Sequence, residues 1–213
     1  MKKYTYTIKT AFLGMLLGMT ASVQADSLFT IRHMANEQNL VSLNVSEQYL
    51  LLPIQENAPE SKIGIIKNNK QEGTYMNVRL ARERVDYYFP LSLSAYKGQH
   101  ISIDIQGLPE SSLCWKELKM SDSFDMTNKE KFRPVYHHTP AYGWMNDPNG
   151  MFYKDGVYHL YFQYNPYGSV WGNMHWGHST STDLMHWKFE GCAIVPDAWG
   201  AIFSGSCVVD HEN

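Results

Sequence analysis

One carboxylate stands out by its isolation. Asp147 is the only acid between Pro134 and Lys154 of the 213-residue chain. It lies in the string Trp144-Met145-Asn146-Asp147-Pro148-Asn149-Gly150, among rings and amides. Pro148 has a fixed φ and no N–H, and it biases Asp147 toward extended backbone. Gly150 permits a tight turn, and the Asn146 amide can hold a neighbour. A lone carboxylate on so rigid a support is placed to act as a nucleophile. The four residues from Asp147 to Gly150 also spell an ordinary type I turn, with Asp first, Pro second and Gly fourth. Taken alone, those four favour the plain turn.

No other group of side chains makes as strong a case. His137, His138, His159, His175, His178 and His186 gather around Asp147 in sequence. On a strand, however, His175 and His178 point to opposite faces, and adjacent His137 and His138 diverge likewise. Histidines hydrogen-bonded in an aromatic core are therefore expected, and no metal. Ser204-Gly205-Ser206 has no placed base and reads as a substrate contact or a bulge. A nucleophile elbow, a phosphate loop and an HExxH helix are all missing, and no cofactor is expected. Cys114, Cys192 and Cys207 form no CxxC pair and read as small buried residues, a Cys192–Cys207 bridge being the weaker alternative.

The elements that must hold Asp147 are legible as strands. Lysines 2, 3 and 9, the apolar run Ala11 to Met19 and Val23-Gln24-Ala25 read as a secretory signal peptide over 1–25, cut after Ala25. The run is well short of the ~20 residues that span a bilayer, so a secreted or periplasmic chain with no membrane attachment after cleavage is expected. With 18 basic against 21 acidic side chains, nucleic acid is not an expected partner. Residues 26–120 alternate short apolar runs (49–54, 62–66, 75–80, 85–89 and 100–105) with turn residues, the pattern of an antiparallel β-sandwich. Residues 121–134 are polar and read as a linker, with a short helix over 125–131 as an option. From 135 onward rings dominate. Fourteen of the 29 aromatics fall in 136–189, which marks either a β core or a sugar site. Strands at 151–153, 157–164, 174–180 and 186–189, the first two joined by Asp155-Gly156, make a four-stranded meander of the kind found in propeller blades. Residues 203–210 would open a second blade.

A longer set of strings changes the weight given to Asp147. Trp144-Met-Asn-Asp-Pro-Asn-Gly150, Tyr161-Phe-Gln-Tyr-Asn-Pro166, Trp171-Gly-Asn-Met-His-Trp-Gly-His178, Ser181-Thr-Asp-Leu-Met-His-Trp187 and Phe203-Ser-Gly-Ser206 follow one another over 137–210. Together they closely resemble glycoside hydrolase family 32, the invertases, levanases, inulinases and fructan β-fructosidases. Residues 26–120 resemble, more loosely, the β-sandwich that precedes the catalytic domain in some bacterial fructan-degrading members. The resemblance implies an all-β chain: an N-terminal antiparallel sandwich, then the first blade and the start of the second blade of a five-bladed propeller occupying 135–213. It implies Asp147 as the nucleophile. Asn146, Gln163 and Trp171 would line the fructosyl subsite, Trp144 would wall it, and Phe203 and Ser204 would reach the sugar from the next blade. The implied partner is a fructan or sucrose.

The implied mechanism is retaining. It needs a second carboxylate about 5–5.5 Å from the first, protonated near neutral pH and so raised in pKa. The family's acid/base lies in a Glu-Cys motif and a further acid in an Arg-Asp-Pro motif, and neither motif occurs here. Glu190 and Glu212 are the possible substitutes for the missing acid/base. Five blades at about 40–50 residues each need well over 200 residues, and only 79 follow Pro134. The chain is therefore expected to be an N-terminal fragment, inactive alone. Two other readings stay open: a non-catalytic secreted carbohydrate-binding protein, and a related propeller glycosidase acting on arabinan or xylan.

Overall fold

The computed structural model describes residues 28–127 and 131–212, and the expected signal peptide lies outside them. The first unit is a sandwich of two antiparallel sheets. One has five strands in the order β1-β2-β7-β4-β5, with β1 Phe29–His33, β2 Gln38–Asn44, β4 Ser61–Lys67, β5 Lys70–Val78 and β7 His100–Gln106. The other has three, β6-β3-β8, with β3 Tyr49–Ile54, β6 Tyr87–Ser92 and β8 Lys119–Ser121. Period-two patterning explains the layers. Val41 and Leu43 of β2 and Ile101, Ile103 and Ile105 of β7 are buried against Leu50, Leu52 and Ile54 of β3, forming one apolar core.

Sequence patterning shows five of these strands and misses β1, β2 and β8. Strand β2 alternates buried and exposed residues, but its polar Gln38, Asn39 and Asn44 hide the pattern. Strand β8 pairs with β3 across Tyr49↔Ser121, so the sandwich runs into the stretch expected to be linker. Of the optional helix over 125–131, residues 125–127 are not helical and 128–130 lie outside the described residues. Nor is every polar position of β7 wet. Asp104 is only 3% exposed, because the Tyr75 hydroxyl donates to it at 2.5 Å. Burial, with the carboxylate beside it, pushes that phenol up to about 12.

The second unit is a four-stranded antiparallel meander, β12-β11-β10-β9, with β9 Trp144–Lys154, β10 Val157–Asn165, β11 His175–Ser181 and β12 Lys188–Ile194. Asp155 and Gly156 both take positive φ, 50° and 85°, which suits the two-residue hairpin joining β9 to β10. One face buries Leu160, Phe162 and Tyr164 with Phe189 and Met145 packed beside them. The expected strand at 186–189 begins only at Lys188. Before it, Asp183 accepts from the backbone of Met185 and His186 and from the His186 ring, so a carboxylate-organised turn takes the first two residues. Residues 203–210, expected to open another blade, form no paired strand.

Tyr142 joins the two units. It packs against the sandwich core and also against the blade cluster, and its carbonyl accepts from the Tyr164 hydroxyl at 2.7 Å. His175, 1% exposed, sits at the same junction with its ring edge-on to Tyr167. Burial lowers the His175 imidazole to about 4. Below its ordinary value of 6.5 the unfolded chain takes up a proton that the folded chain excludes, so stability falls as pH drops from 6.5 toward 4. Urea unfolding at pH 7 and pH 5 should show that His175→Phe is less pH-sensitive than the parent by about 2 kcal/mol. Equal pH sensitivity would refute this account of His175.

Candidate active site

The site residues hang on a register mismatch. Strand β9 has 11 residues between its end pairs and β10 has nine, since Lys154 faces Val157 and Trp144 faces Asn165. The pairing absorbs the surplus in two bulges. In the first, Gly150 and Met151 face Leu160. In the second, Asn146 and Asp147 together face Gln163. A bulge leaves one residue unpaired and re-aims side chains, and bulges concentrate beside active sites. Asp147 is therefore not on a turn before a strand, as the four-residue pattern suggested. It sits inside the strand, at the bulge. Pro148 is tolerated because β9 is an edge strand of the sheet.

Three expected residues gather at this bulge, and a fourth, Ser204, reaches it from 57 residues beyond Asp147 in sequence. The Trp144 indole donates to Asn146 Oδ1 at 3.1 Å. Gln163 is 2% exposed, and its Nε2 has no partner among the described residues. The Ser204 hydroxyl donates to Asp147 Oδ2 at 3.0 Å. Phe203 contributes its carbonyl, which accepts from Trp176 Nε1 at 2.9 Å, while its ring is exposed. Gly205 O accepts from Gly150 N at 3.3 Å, so the returning segment is tied to β11 before Ser204 and to β9 after it. Trp171 is on the loop after β10. It borders a cavity with Glu56 and Arg79 of the sandwich, and none of the residues at the Asp147 bulge lines that cavity.

Asn149 lies in the same motif, and nothing in its type or spacing marks it as a site residue. It is 5% exposed, and neither amide atom has a partner among the described residues. Only burial distinguishes it from Asn146, and burial is a tertiary property. The blade histidines are explained by packing. Phe152, His159, His178 and Tyr161 stack in a column with near-parallel rings, and His159 and His178 hydrogen-bond each other at 3.0 Å. Among the described residues, no group of three or more His, Cys, Asp or Glu is arranged around a metal position. All three cysteines are free thiols, so the Cys192–Cys207 bridge is not formed.

Neither remaining acid substitutes for the second carboxylate. Glu190 accepts from Lys188 and Thr180, and these bonds lower its pKa, the wrong direction for a proton donor. It lies on β12, three strand spacings from β9, or roughly 14 Å. Exposed Glu212 hydrogen-bonds only locally, its N–H donating to Asp210.

Comparison with known proteins supplies the context. The family described as "Glycosyl hydrolases family 32 N-terminal domain" matches residues 137–213, and a domain of unknown function (DUF4980) matches 35–136. A levanase of Bacillus subtilis is 58% identical over 84 residues, covering 39% of this chain and 12% of that protein. Residues 137–213 are similar to glycoside hydrolase family 32. Invertase 1 of Saccharomyces cerevisiae is 53% identical over 95 residues, covering 43% of this chain and 18% of that protein. A fructofuranosidase of Schwanniomyces occidentalis, solved with fructose, is 52% identical, covers 43% of this chain and 18% of its own, and has a TM-score of 0.37. The chain spans less than a fifth of the length of these relatives.

Gly150 is where the family string meets the returning segment. Its φ is +55°, and an added Cβ would come within 2.9 Å of the Trp176 ring and 3.0 Å of Cys207 Sγ. Gly150→Ala should therefore cost more than about 1 kcal/mol, read as a lower denaturant midpoint, and a midpoint equal to the parent's would contradict the bulge geometry.

Proposed function

We propose that these residues form part of a secreted β-fructofuranosidase that cleaves fructans or sucrose with retention, Asp147 being the nucleophile. The observation that carries this reading is Asp147 at the β9 bulge, hydrogen-bonded to Ser204, inside a family 32 segment. Ser204 occupies one carboxylate oxygen and, among the described residues, no hydrogen bond engages the other. That second oxygen attacks the anomeric carbon, and the leaving oxygen takes a proton from a second carboxylic acid. Water then releases fructose from the fructosyl-enzyme, the second carboxylate now acting as base.

The side-chain set suits a furanose. Gln163 and Asn149 present buried amide atoms without partners among the described residues, which cost about 1–3 kcal/mol each unless satisfied. Sugar hydroxyls would satisfy them. Asn146, held by Trp144, adds another amide, and the exposed rings of Phe203 and Trp171 offer faces for C–H surfaces. The sandwich over 26–120, the linker over 121–134 and the propeller portion from 135 are proposed as separate units of one secreted chain. Export is supported by the signal-like first 25 residues and by the name of one relative, an extracellular exo-inulinase.

The second carboxylate is not among these residues in a usable place, so we assign hydrolysis to a polypeptide in which they are joined to a segment supplying it. Reducing-sugar release from levan, inulin and sucrose tests both parts. The 213-residue product should release no sugar. The polypeptide from the complete reading frame should do so, and Asp147→Asn should lower its kcat by about 10⁴-fold or more. Turnover retained in that variant would remove Asp147 from the nucleophile role.

A further inference from the structure

The loop from 166 to 174 between β10 and β11 carries Trp171 and is fastened to the sandwich at two places. At the first, the Asn173 amide pairs with the backbone of Asn77 in β5. Asn77 N donates to Asn173 Oδ1 at 2.9 Å, and Asn173 Nδ2 donates to Asn77 O at 2.8 Å. At the second, the Ser169 hydroxyl donates to Glu56, whose other oxygen accepts from the Tyr87 hydroxyl. Buried Asn165 braces the loop from inside. Its Oδ1 accepts from Tyr167 N and from Asn173 Nδ2, and its Nδ2 donates to Val170 O at 2.9 Å. Asn165 is also the β10 partner of Trp144. One chain of amides therefore runs from the sandwich, through the loop, to the strand end that carries Trp144 and Asn146.

We infer that the sandwich is a positioning module for the sugar site, acting through Asn77–Asn173 and Glu56–Ser169 on the loop that presents Trp171. The inference rests on the proposed reading of Trp171 as a sugar-facing ring. That indole is 59% exposed and stacks on no other ring among the described residues, so its own packing does not hold it. A ring on a free loop would lose conformational entropy on meeting sugar, and a ring on a clamped loop has already lost it. A cavity of about 210 Å³ separates the loop from the sandwich, with Arg79 and Glu56 on one wall and Trp171 and Ser169 on the other. The clamp spans this cavity. Asn173 and Ser169 are positioning residues in this account and touch no substrate.

The test uses the complete polypeptide in its Asp147→Asn form, so that bound fructan survives, with calorimetric titration of levan-type and inulin-type tetrasaccharides. Asn173→Gly deletes both amide bonds to Asn77 and keeps the left-handed backbone, since φ of Asn173 is 44°. Combined with Ser169→Ala, it should weaken binding about tenfold with the melting temperature held within a few degrees. In a Trp171→Ala background the same pair should change affinity less than about twofold, because the clamp acts through that ring. A merely structural role would give the same loss in both backgrounds, and that result overturns the inference. So does parent-like binding by the double variant. If Asn173→Gly fails to fold, Ser169→Ala alone carries the same comparison at about two- to threefold. A parent that binds neither sugar overturns the fructoside reading and this inference with it, whereas a binding parent with unaffected variants overturns the inference alone.

Discussion

The pairing of an 11-residue strand with a nine-residue one is the constraint on which the site depends. Ladder hydrogen bonds hold both ends of β9 and β10 in register, so two residues of β9 have to leave the ladder. They leave at Gly150-Met151 and at Asn146-Asp147. The first bulge needs positive φ and clearance for Trp176, which glycine supplies. The second turns a carboxylate out of the sheet opposite a buried glutamine. Without the hairpin at Asp155-Gly156, which sets the register, the surplus would fall elsewhere and Asp147 would alternate into the ladder like any strand residue.

The same sheet explains which groups reach Asp147 and which do not. In a meander, sequence distance and spatial distance part company. Ser204 is 57 residues away yet hydrogen-bonds Asp147, because the chain beyond β12 returns across Trp176 to β9. Glu190 is closer in sequence but stands on the opposite edge, where Lys188 and Thr180 keep it ionised. The two faces of the blade differ in kind. One buries Leu160, Phe162 and Tyr164 toward Tyr142 and the sandwich. The other stacks Phe152, His159, His178 and Tyr161 in a column, which uses up histidines that otherwise resemble ligands.

The junction ties the sandwich to the loop that bears Trp171. Tyr142 belongs to both apolar clusters, and the Asn77–Asn173 pair adds a directional polar contact beside it. Apolar burial sets how close the units lie, and the amide pair sets their register. Together they couple strand β5 of the sandwich to the loop bearing Trp171.

Much of this was readable in the residues themselves. Apolar alternation located β3, β4 and β7, Asp155-Gly156 located the blade hairpin, and five ordered strings pointed to family 32 and to Asp147. Local chemistry suffices for these, because side-chain period and turn φ are local properties. Strands β2 and β8 are hidden by polar residues whose partner strands lie far along the chain. Likewise, nothing local distinguishes a type I turn at Asp147-Pro148-Asn149-Gly150 from a bulged strand. Only pairing with β10 decides between them, because the bulge exists only as a mismatch in length between two strands. The sequence by itself determined an all-β chain with one isolated carboxylate among strings that resemble family 32. Tertiary structure decided that Ser204 meets that carboxylate, that Glu190 does not, and that Trp171 is held from the sandwich side, for each depends on which segments fold back against which.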